Sequence, residues 1–374
     1  MDSESAKRSP DGQFPDGGDA AGTADSEVLV AKRPSQSYWR LVRHQYFKNR
    51  PAVIGLWIIG MMVFVSLFAN VIANNKPIMC NYQGTFYMPA LHEYLVDLGI
   101  SSWSPEMAEV DWKSLEYEWS VFPPIPYTAD DQDENNTFVA PFSGGDHSHY
   151  LGTDQLGRDM FAGLIYGARI SLSIGLIAMG IATIIGLLLG SLAGYYGGWV
   201  DFLISRIIEI FLNFPTFFLI IVIVAIAQDR YPGLLIFLIM LVIGITGWMG
   251  IARLARGEVL RVRSMEYVTA ADALGFSASR VILRHVLPNS LAPVLVAIAF
   301  GIASAILTEA GLSFLGFGVP ASVVTWGSML SESRGAVYAW WMAVFPGLMI
   351  FLTVLSYNLI GDGLRDATDP RLKI

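Results

Sequence analysis

Few residues in this sequence have the types and spacing that catalysis requires. The sequence contains no G-x-x-x-x-G-K-[ST] phosphate loop, no H-E-x-x-H, no C-x-x-C and no G-x-S-x-G. His147 and His149 flank Ser148 beside Asp146, and two such histidines could bind a metal. No third or fourth ligand is identified, so a loop turn is the better interpretation. We therefore expect no catalytic residue, no metal site and no cofactor bound by this chain.

Polar residues inside apolar segments are the second class of candidates, because they are costly in a membrane and often functional there. Arg206 and Glu209 lie three residues apart on one helix face, where a structural pair is the favoured interpretation. Asn213, Glu309 and Asn358 are candidate lining residues of a solute pathway, although Glu309 could instead face the outer water. No chain of carboxylates runs through these segments, which disfavours a proton-coupled carrier.

The composition of the chain argues for a membrane protein. Of its 374 residues, 53% are hydrophobic and 15% are charged, whereas soluble chains usually carry about 25% charged residues. The single cysteine, Cys80, cannot form an internal disulfide, so no disulfide framework is possible. The candidate residues must therefore be positioned by helices that cross a bilayer, and the predicted fold is an all-α membrane protein.

Six stretches are long and apolar enough to cross a bilayer, which takes about 20 residues. They lie near 51–73, 168–194, 202–228, 233–250, 291–315 and 340–361. Pro215 and Pro346 fall near the middle of the third and sixth stretches, where proline kinks a helix. Gly186, Gly190 and Gly194 recur at four-residue spacing in the second stretch, which predicts a close helix-packing face.

Lysine and arginine predict the orientation of these spans. Residues 31–50 hold six Lys and Arg and no acid, which places the N-terminus in the cytoplasm. The 74–167 segment holds 14 acids against three basic residues and is expected outside. The 251–290 loop holds six Arg against three acids and is expected inside, as is the C-terminus after an even number of spans.

The chain divides into four regions. Residues 1–37 are polar and predict a disordered cytoplasmic tail. Residues 38–73 predict an interfacial helix followed by the first span, with a docking peptide for a partner as the alternative to the interfacial helix. Residues 74–150 predict an aromatic-rich insertion outside the membrane. Its acidic residues could dock a soluble partner, favour a cationic solute or form a solvated surface. Residues 151–374 hold the five further spans.

The 251–290 loop predicts two short helices at the inner membrane surface. Ser264 and Ser277 can cap their starts, Gly275 can end the first through a left-handed conformation, and Pro288 can end the second. One face of the first helix carries the i, i+3, i+4, i+7 set Tyr267, Ala270, Ala271 and Leu274. A small apolar face of this kind suits a protein partner, with a helix lying on lipid as the alternative.

The same loop resembles the coupling-helix signature of binding-protein-dependent ABC importer permeases, which is Glu-Ala-Ala, three residues, Gly and a later Leu-Pro. Those places are Thr269, Ala270, Ala271, Gly275 and Leu287–Pro288. Thr269 stands where the general signature has Glu, while Glu266 and Asp272 keep the surface polar. The resemblance implies that this helix seats in a separate ATPase subunit, which explains the missing phosphate loop.

Three further stretches resemble the "C"-type dipeptide and oligopeptide permeases. They are YLGTDQLGRDMFAGLIYGARISLSIGL (150–176), GYYGGWVD (194–201) and EAGLSFLGFGVPASVVTWGSML (309–330). The resemblance covers about residues 35–75 and 145–374. The outer insertion, with KPIMCNYQGTFYMPAL at 76–91, looks more like the subgroup linked to microcin C-type peptide uptake.

The resemblance implies a six-span permease of the bacterial inner membrane, with a cytoplasmic coupling-helix loop at about 265–287 and an extracytoplasmic insertion. Its implied partners are a homologous second permease, two ABC ATPase subunits that bind ATP and Mg, an extracytoplasmic solute-binding protein and a peptide substrate, with no nucleic acid. The implied ATPase-coupling residues are Glu266, Tyr267, Thr269, Ala270, Ala271, Asp272, Leu274, Gly275, Phe276, Leu287 and Pro288.

Two alternatives remain open from the sequence. Related permeases import other solutes, such as nickel chelates or opines, and nothing in the sequence excludes them. An ion-coupled carrier that works alone is disfavoured, because such a carrier has no need of the 266–288 loop.

Overall fold

The structure is a computed structural model that describes residues 38–104, 107, 110–143, 149–320 and 323–369. The predicted tail at 1–37 and the histidine at 147 lie outside the described residues. The α-helices of the described part are α1 Tyr38–Tyr46, α2 Arg50–Leu67, α3 Ala69–Ile72, α4 Pro89–Asp97, α5 Met160–Tyr196, α6 Gly198–Leu212, α7 Thr216–Arg230, α8 Leu235–Arg263, α9 Glu266–Ala273, α10 Ala278–Val281, α11 Leu287–Phe314, α12 Trp326–Glu332 and α13 Trp341–Thr368.

Among these, α2, α5, α8, the run Ala278–Phe314 and α13 are each long and apolar enough to cross a membrane, which gives five candidate spans. The pair α6 and α7 passes the same test only when taken together, and its axes differ by 77°. The mostly helical fold is thus as predicted, while the span predicted as one helix at 202–228 is two helices with a sharp bend between them.

Pro215 accounts for this bend. It precedes α7 with an extended backbone (φ −64°, ψ 101°), and a proline ring disfavours a helical conformation in the residue before it. Asn213 ends α6, so the chain turns within Phe214 and Pro215. Pro346, by contrast, lies inside the uninterrupted α13. Of the two prolines near the middle of a predicted span, Pro215 thus lies at a break between two helices, whereas Pro346 lies within one continuous helix.

The α5–α8 pair forms the main helix interface. As predicted, the three glycines of α5 lie against α8: Cβ atoms built on Gly186, Gly190 and Gly194 would meet Ile251, Ala252 and the Arg256–Val259 stretch within 3 Å. Glycine allows the two backbones to approach closely where no other residue would. Asp201 of α6 adds a forked ion pair to Arg256 of α8, with Nη2 to Oδ2 at 2.7 Å.

We predict that Gly190→Ala destabilises this interface. The added Cβ would lie 2.5 Å from the Ala252 carbonyl oxygen and 2.8 Å from the Ala255 Cβ, so the helices must separate. Overpacking of this kind costs about 1–3 kcal/mol, and the melting temperature of the purified chain should fall. Gly180→Ala in the same helix is the control, because its Cβ meets nothing within 4 Å. An equal effect of the two substitutions would contradict close packing at Gly190.

The segment between α2 and α5 contains a small sheet, which corrects the prediction of an all-α fold. Strands β1 Met79–Tyr82, β2 Thr85–Tyr87 and β3 Trp119–Val121 are antiparallel in the order β2-β1-β3. Cys80 of β1 and Trp112 are both buried. The fold of this segment therefore has an interior of its own. Its placement outside the membrane stays a prediction.

Candidate functional site

The loop between α8 and α11 holds the predicted coupling residues. It begins at the end of α8 with Ser264, whose hydroxyl donates to the Arg261 carbonyl and does not cap α9. Met265 takes the N-cap position of α9, and Ser277 takes that of α10, without a side-chain capping bond in either case. The predicted capping by Ser264 is wrong, because the serine lies one residue too early and finishes the preceding helix.

Gly275 ends α9 as predicted. Its φ is +75°, in the left-handed region that favours glycine. The Gly275 N–H donates to the Asp272 carbonyl at 3.0 Å, and the Phe276 N–H donates to the Ala271 carbonyl at 3.2 Å. These two bonds make a Schellman motif, which satisfies the last carbonyls of the helix and turns the chain toward α10.

Pro288 does not end the second helix, which corrects the prediction. Residues Ile282–Val286 form a π-helical turn in which the Leu287 N–H donates to the Ile282 carbonyl, and α11 follows directly. Pro288 then lies near the first residue of α11, directly after this turn. The run from α10 through α11 is continuous, so any movement of this loop acts directly on a long apolar helix.

One side of α9 is anchored in the protein. Val268 and Ala271 are buried in a cluster whose other members come from the ends of α5 and α8 and from α10 with its π-helical turn. These are Tyr195, Val259, Val262, Val281, Ile282 and Val286. Ala271 was predicted on the partner-facing side and instead points inward, because its position one turn after Val268 belongs to the buried stripe.

The opposite side of α9 is exposed. Its exposed residues among the predicted set are Glu266, Tyr267, Thr269, Ala270, Asp272, Leu274, Gly275 and Phe276. Leu274 is 74% exposed, and Tyr267 and Phe276 are each about two-fifths exposed. Partial burial of the ring raises the pKa of the Tyr267 hydroxyl above its usual value. Leu287 and Pro288 are half-buried and belong to the start of α11 instead of this surface.

Asp272 has an intramolecular partner that the sequence did not reveal. The Tyr195 hydroxyl at the end of α5 donates to its Oδ1 at 2.9 Å, across 77 residues of sequence. The guanidinium of Arg263 lies 5.6 Å from the centroid of the same tyrosine ring. This bond connects the exposed helix to the longest described helix. In the sequence Tyr195 belongs to a Tyr-Tyr pair that precedes a Gly-Gly turn. Only the fold shows that the Tyr195 hydroxyl bonds to Asp272.

We predict that Tyr195→Phe loosens α9. A hydrogen bond to a charged group contributes about 1.5–3 kcal/mol, and phenylalanine removes it while keeping the ring beneath Arg263. Amide hydrogen exchange in α9 should therefore be about tenfold faster or more. Asp272→Asn is the matched control, because its amide oxygen still accepts from Tyr195. Unchanged exchange in Tyr195→Phe would show that the buried valines alone hold the helix.

The three predicted pathway residues lie apart in the fold. The Asn213 side chain donates to the Glu209 carbonyl at 2.7 Å and is exposed at the α6–α7 bend. Glu309 is only 1% exposed, and it accepts from Ser313 at 2.7 Å and Thr325 at 3.0 Å. It thus ties α11 to the start of α12 and does not face outer water. Asn358 is half-buried on α13.

A cavity of 550 Å³ lies elsewhere, between α5, α7, α8 and α11. None of the three predicted pathway residues lines it. Its wall is made of aliphatic side chains together with a set of glycines and hydroxyl residues: Thr216, Thr246, Gly247, Gly250, Gly301, Ser304 and Thr308. Charged and amide side chains stand out in an apolar sequence, whereas the small and weakly polar residues of this wall do not, so the sequence gives no signal for them.

The described residues contain no group of three or more His, Cys, Asp or Glu that could hold a metal. His149 is buried, and its Nδ1 lies 2.8 Å from Asp159 Oδ2. Asp159 also caps α5 by accepting from the Ala162 N–H at 2.8 Å. The pair thus fixes the start of α5. Arg206 and Glu209 form the predicted ion pair, which is exposed and therefore contributes little.

Comparison with known proteins identifies the family. The model described as "Binding-protein-dependent transport system inner membrane component" matches residues 186–374, and the "N-terminal TM domain of oligopeptide transport permease C" matches residues 37–89. The dipeptide transport system permease protein DppC of Alkalihalophilus pseudofirmus is 47% identical over 62% of this chain and 74% of its own length.

Two relatives align over nearly the whole chain. The oligopeptide transport system permease protein OppC of Bacillus subtilis is 40% identical over 95% of this chain and 96% of its own length. The inner membrane ABC transporter permease protein YejE of Escherichia coli is 35% identical over 90% of this chain and 97% of its own length. A chain of the MetNI methionine ABC transporter superposes with a TM-score of 0.47 at 17% identity over 56% of this chain and 98% of that chain, which is too weak to support an argument.

These matches confirm the resemblance inferred from the loop and from the stretches at 150–176, 194–201 and 309–330, while the microcin-linked subgroup stays a prediction. The chain is accordingly a non-catalytic permease, and it belongs to the inner membrane components of binding-protein-dependent ABC transport systems, in the oligopeptide permease C family.

Proposed function

We propose that this chain provides half of the translocation pathway in an ATP-driven importer of dipeptides or oligopeptides. The observation that carries the proposal is the exposed face of α9, on a helix whose other face is fixed in the interior by Val268 and Ala271. A helix that is held firmly and still presents Tyr267 and Leu274 outward suits transmission of force from a partner. The names of the relatives support a peptide as the solute.

In this proposal the exposed residues of α9, with Gly275 and Phe276, seat in an ATPase subunit that binds ATP and Mg. Closure of two such ATPases moves the loop, and the continuous run from α10 into α11 carries the movement to the cavity lined by Gly301 and Ser304. A second, homologous permease supplies the other half of the pathway. A solute-binding protein delivers the peptide from outside.

The finer topology also belongs to the proposal. Counting α6 and α7 as one bent span gives six spans, and an even number agrees with both termini in the cytoplasm. The segment between α2 and α5 then lies outside. Among the described residues of 74–143 the charged side chains are mostly acidic, which supports a solvated outer face.

The test is purification of the tagged chain from its native membrane by a gentle detergent, with mass spectrometry of the proteins that accompany it. Recovery of a second permease and ATPase subunits is the expected result. Competition by labelled dipeptides, tripeptides and longer peptides for uptake then tests the solute. Recovery of partners without any competition by peptides would favour another solute, such as a nickel chelate, whereas recovery of the chain alone would favour an independent carrier.

A further inference from the structure

An exposed basic surface lies at the start of the first candidate span. It consists of Arg40 and Arg43 on α1, Lys48 in the following turn and Arg50 at the first residue of α2. All four side chains are exposed, and none belongs to the ion pairs found among the described residues. We call this set the basic face.

The basic face is held in a fixed place by contacts on its other side. Val42 and Tyr46 of α1 are buried against Ala52 and Ala367, near the ends of α2 and α13. The Tyr46 hydroxyl donates to the Ala52 carbonyl at 3.3 Å. The Asn49 side chain caps α2 at Ala52 and donates to Asp366 at 3.0 Å. The helix is therefore docked on the ends of two candidate spans and cannot swing away freely.

As the first candidate span, α2 would place this surface at the level of lipid headgroups. Arg50 is the first residue of an 18-residue apolar helix, so the bilayer boundary falls beside it. Phe47, between the basic residues, is 57% exposed, and aromatic side chains are favoured at a membrane–water boundary. Asp366, a carboxylate that this segment contacts, accepts a bond from Asn49 and forms none of the ion pairs found among the described residues.

We infer that the basic face binds the phosphate headgroups of anionic phospholipids at this end of the spans. Each exposed cation at such a surface contributes to attraction of anionic lipid, and an arginine can hold a phosphate through two parallel N–H bonds. The inference goes beyond the transport function, and it holds whether or not the solute is a peptide. Its consequence is that activity depends on the anionic lipid content of the membrane.

The test uses the purified full-length chain in a neutral detergent, titrated with phosphatidylglycerol or with zwitterionic phosphatidylcholine. Native mass spectrometry counts bound lipid, and thermal unfolding reports stabilisation. Wild type should prefer phosphatidylglycerol. The variant with Arg40→Gln, Arg43→Gln, Lys48→Gln and Arg50→Gln should lose about tenfold or more of that preference, with its helices intact because Gln is nearly as good a helix former as Arg.

Two controls keep the result interpretable. Arg40→Lys with Arg43→Lys keeps the charge and should keep most of the preference. Neutralising four other exposed arginines that also belong to none of these ion pairs, Arg253, Arg263, Arg280 and Arg284, should leave the preference intact. An equal loss of lipid preference in this second control would show that anionic lipid does not bind specifically at the basic face, and it would overturn the inference. Retained lipid preference in the basic-face variant would overturn the inference.

Discussion

Replacing Gly275 with valine is expected to abolish most ATP-driven uptake while the chain still inserts in the membrane. The φ of Gly275 is +75°, and its surroundings are open, since a Cβ there would meet nothing within 4 Å. The damage therefore comes from backbone conformation and not from a clash. An ordinary L-residue pays about 1–2 kcal/mol in the left-handed region, and a β-branched residue fits it worst.

This strain weakens the two hydrogen bonds at the end of α9, which the N–H groups of Gly275 and Phe276 donate. If the end of α9 re-forms differently, the exposed Leu274 and Phe276 change direction. Because each 1.4 kcal/mol is a factor of ten, we expect uptake and ATPase recovery to fall roughly five- to thirtyfold. Both are measured on equal amounts of inserted chain.

Asparagine at the same position is the matched control. It is close to valine in size but adopts the left-handed conformation much more readily. Gly275→Asn should therefore retain most of the uptake. Two equally impaired variants would mean that the surface tolerates no side chain there, so that contact with the partner, and not the turn, requires glycine. Normal uptake by Gly275→Val would remove α9 from the coupling role.

Local chemistry made this turn predictable from sequence. A glycine after an apolar helical face specifies a left-handed helix end almost regardless of the rest of the fold, and Gly186, Gly190 and Gly194 likewise specify a close interface by their spacing. The helix boundaries predicted at Ser264 and Pro288 are wrong because these residue types allow more than one local structure. A serine near a helix boundary can finish one helix or start the next, and a proline in a first turn can be tolerated.

The pathway was less predictable, since it depends on which side of each helix faces the cavity. Glu309 looked functional as a charge within an apolar stretch, yet it accepts two hydrogen bonds from Ser313 and Thr325, which lie 4 and 16 residues away in sequence. Helix periodicity cannot reveal the second partner. Pro215 predicts a kink between α6 and α7, but the sequence does not predict its angle of 77°.

Filling the cavity tests where the solute passes. Gly250 lines the cavity on α8, and a Cβ there would meet nothing within 4 Å. The Cβ of a leucine at this position therefore causes no clash, and leucine favours the helix more than glycine does. If the cavity is part of the pathway, Gly250→Leu should lower uptake about tenfold, and longer peptides should suffer more than dipeptides because they need more room.

Gly257→Leu is the control for this substitution. It lies two turns further along α8, is exposed and has equally open surroundings, but it does not line the cavity. The same side chain is thus added to the same helix, and only the place differs. Gly257→Leu should leave uptake nearly unchanged, and both variants should recover the same partners on purification.

The pattern of outcomes separates two roles for the cavity. Reduced uptake by Gly250→Leu with full recovery of the second permease means that solute crosses this space. Reduced uptake with loss of the second permease means that the space receives a helix of that subunit, and the solute pathway must then lie elsewhere. Normal uptake by both variants would exclude either role, because a leucine side chain occupies volume that a solute or a neighbouring helix would need.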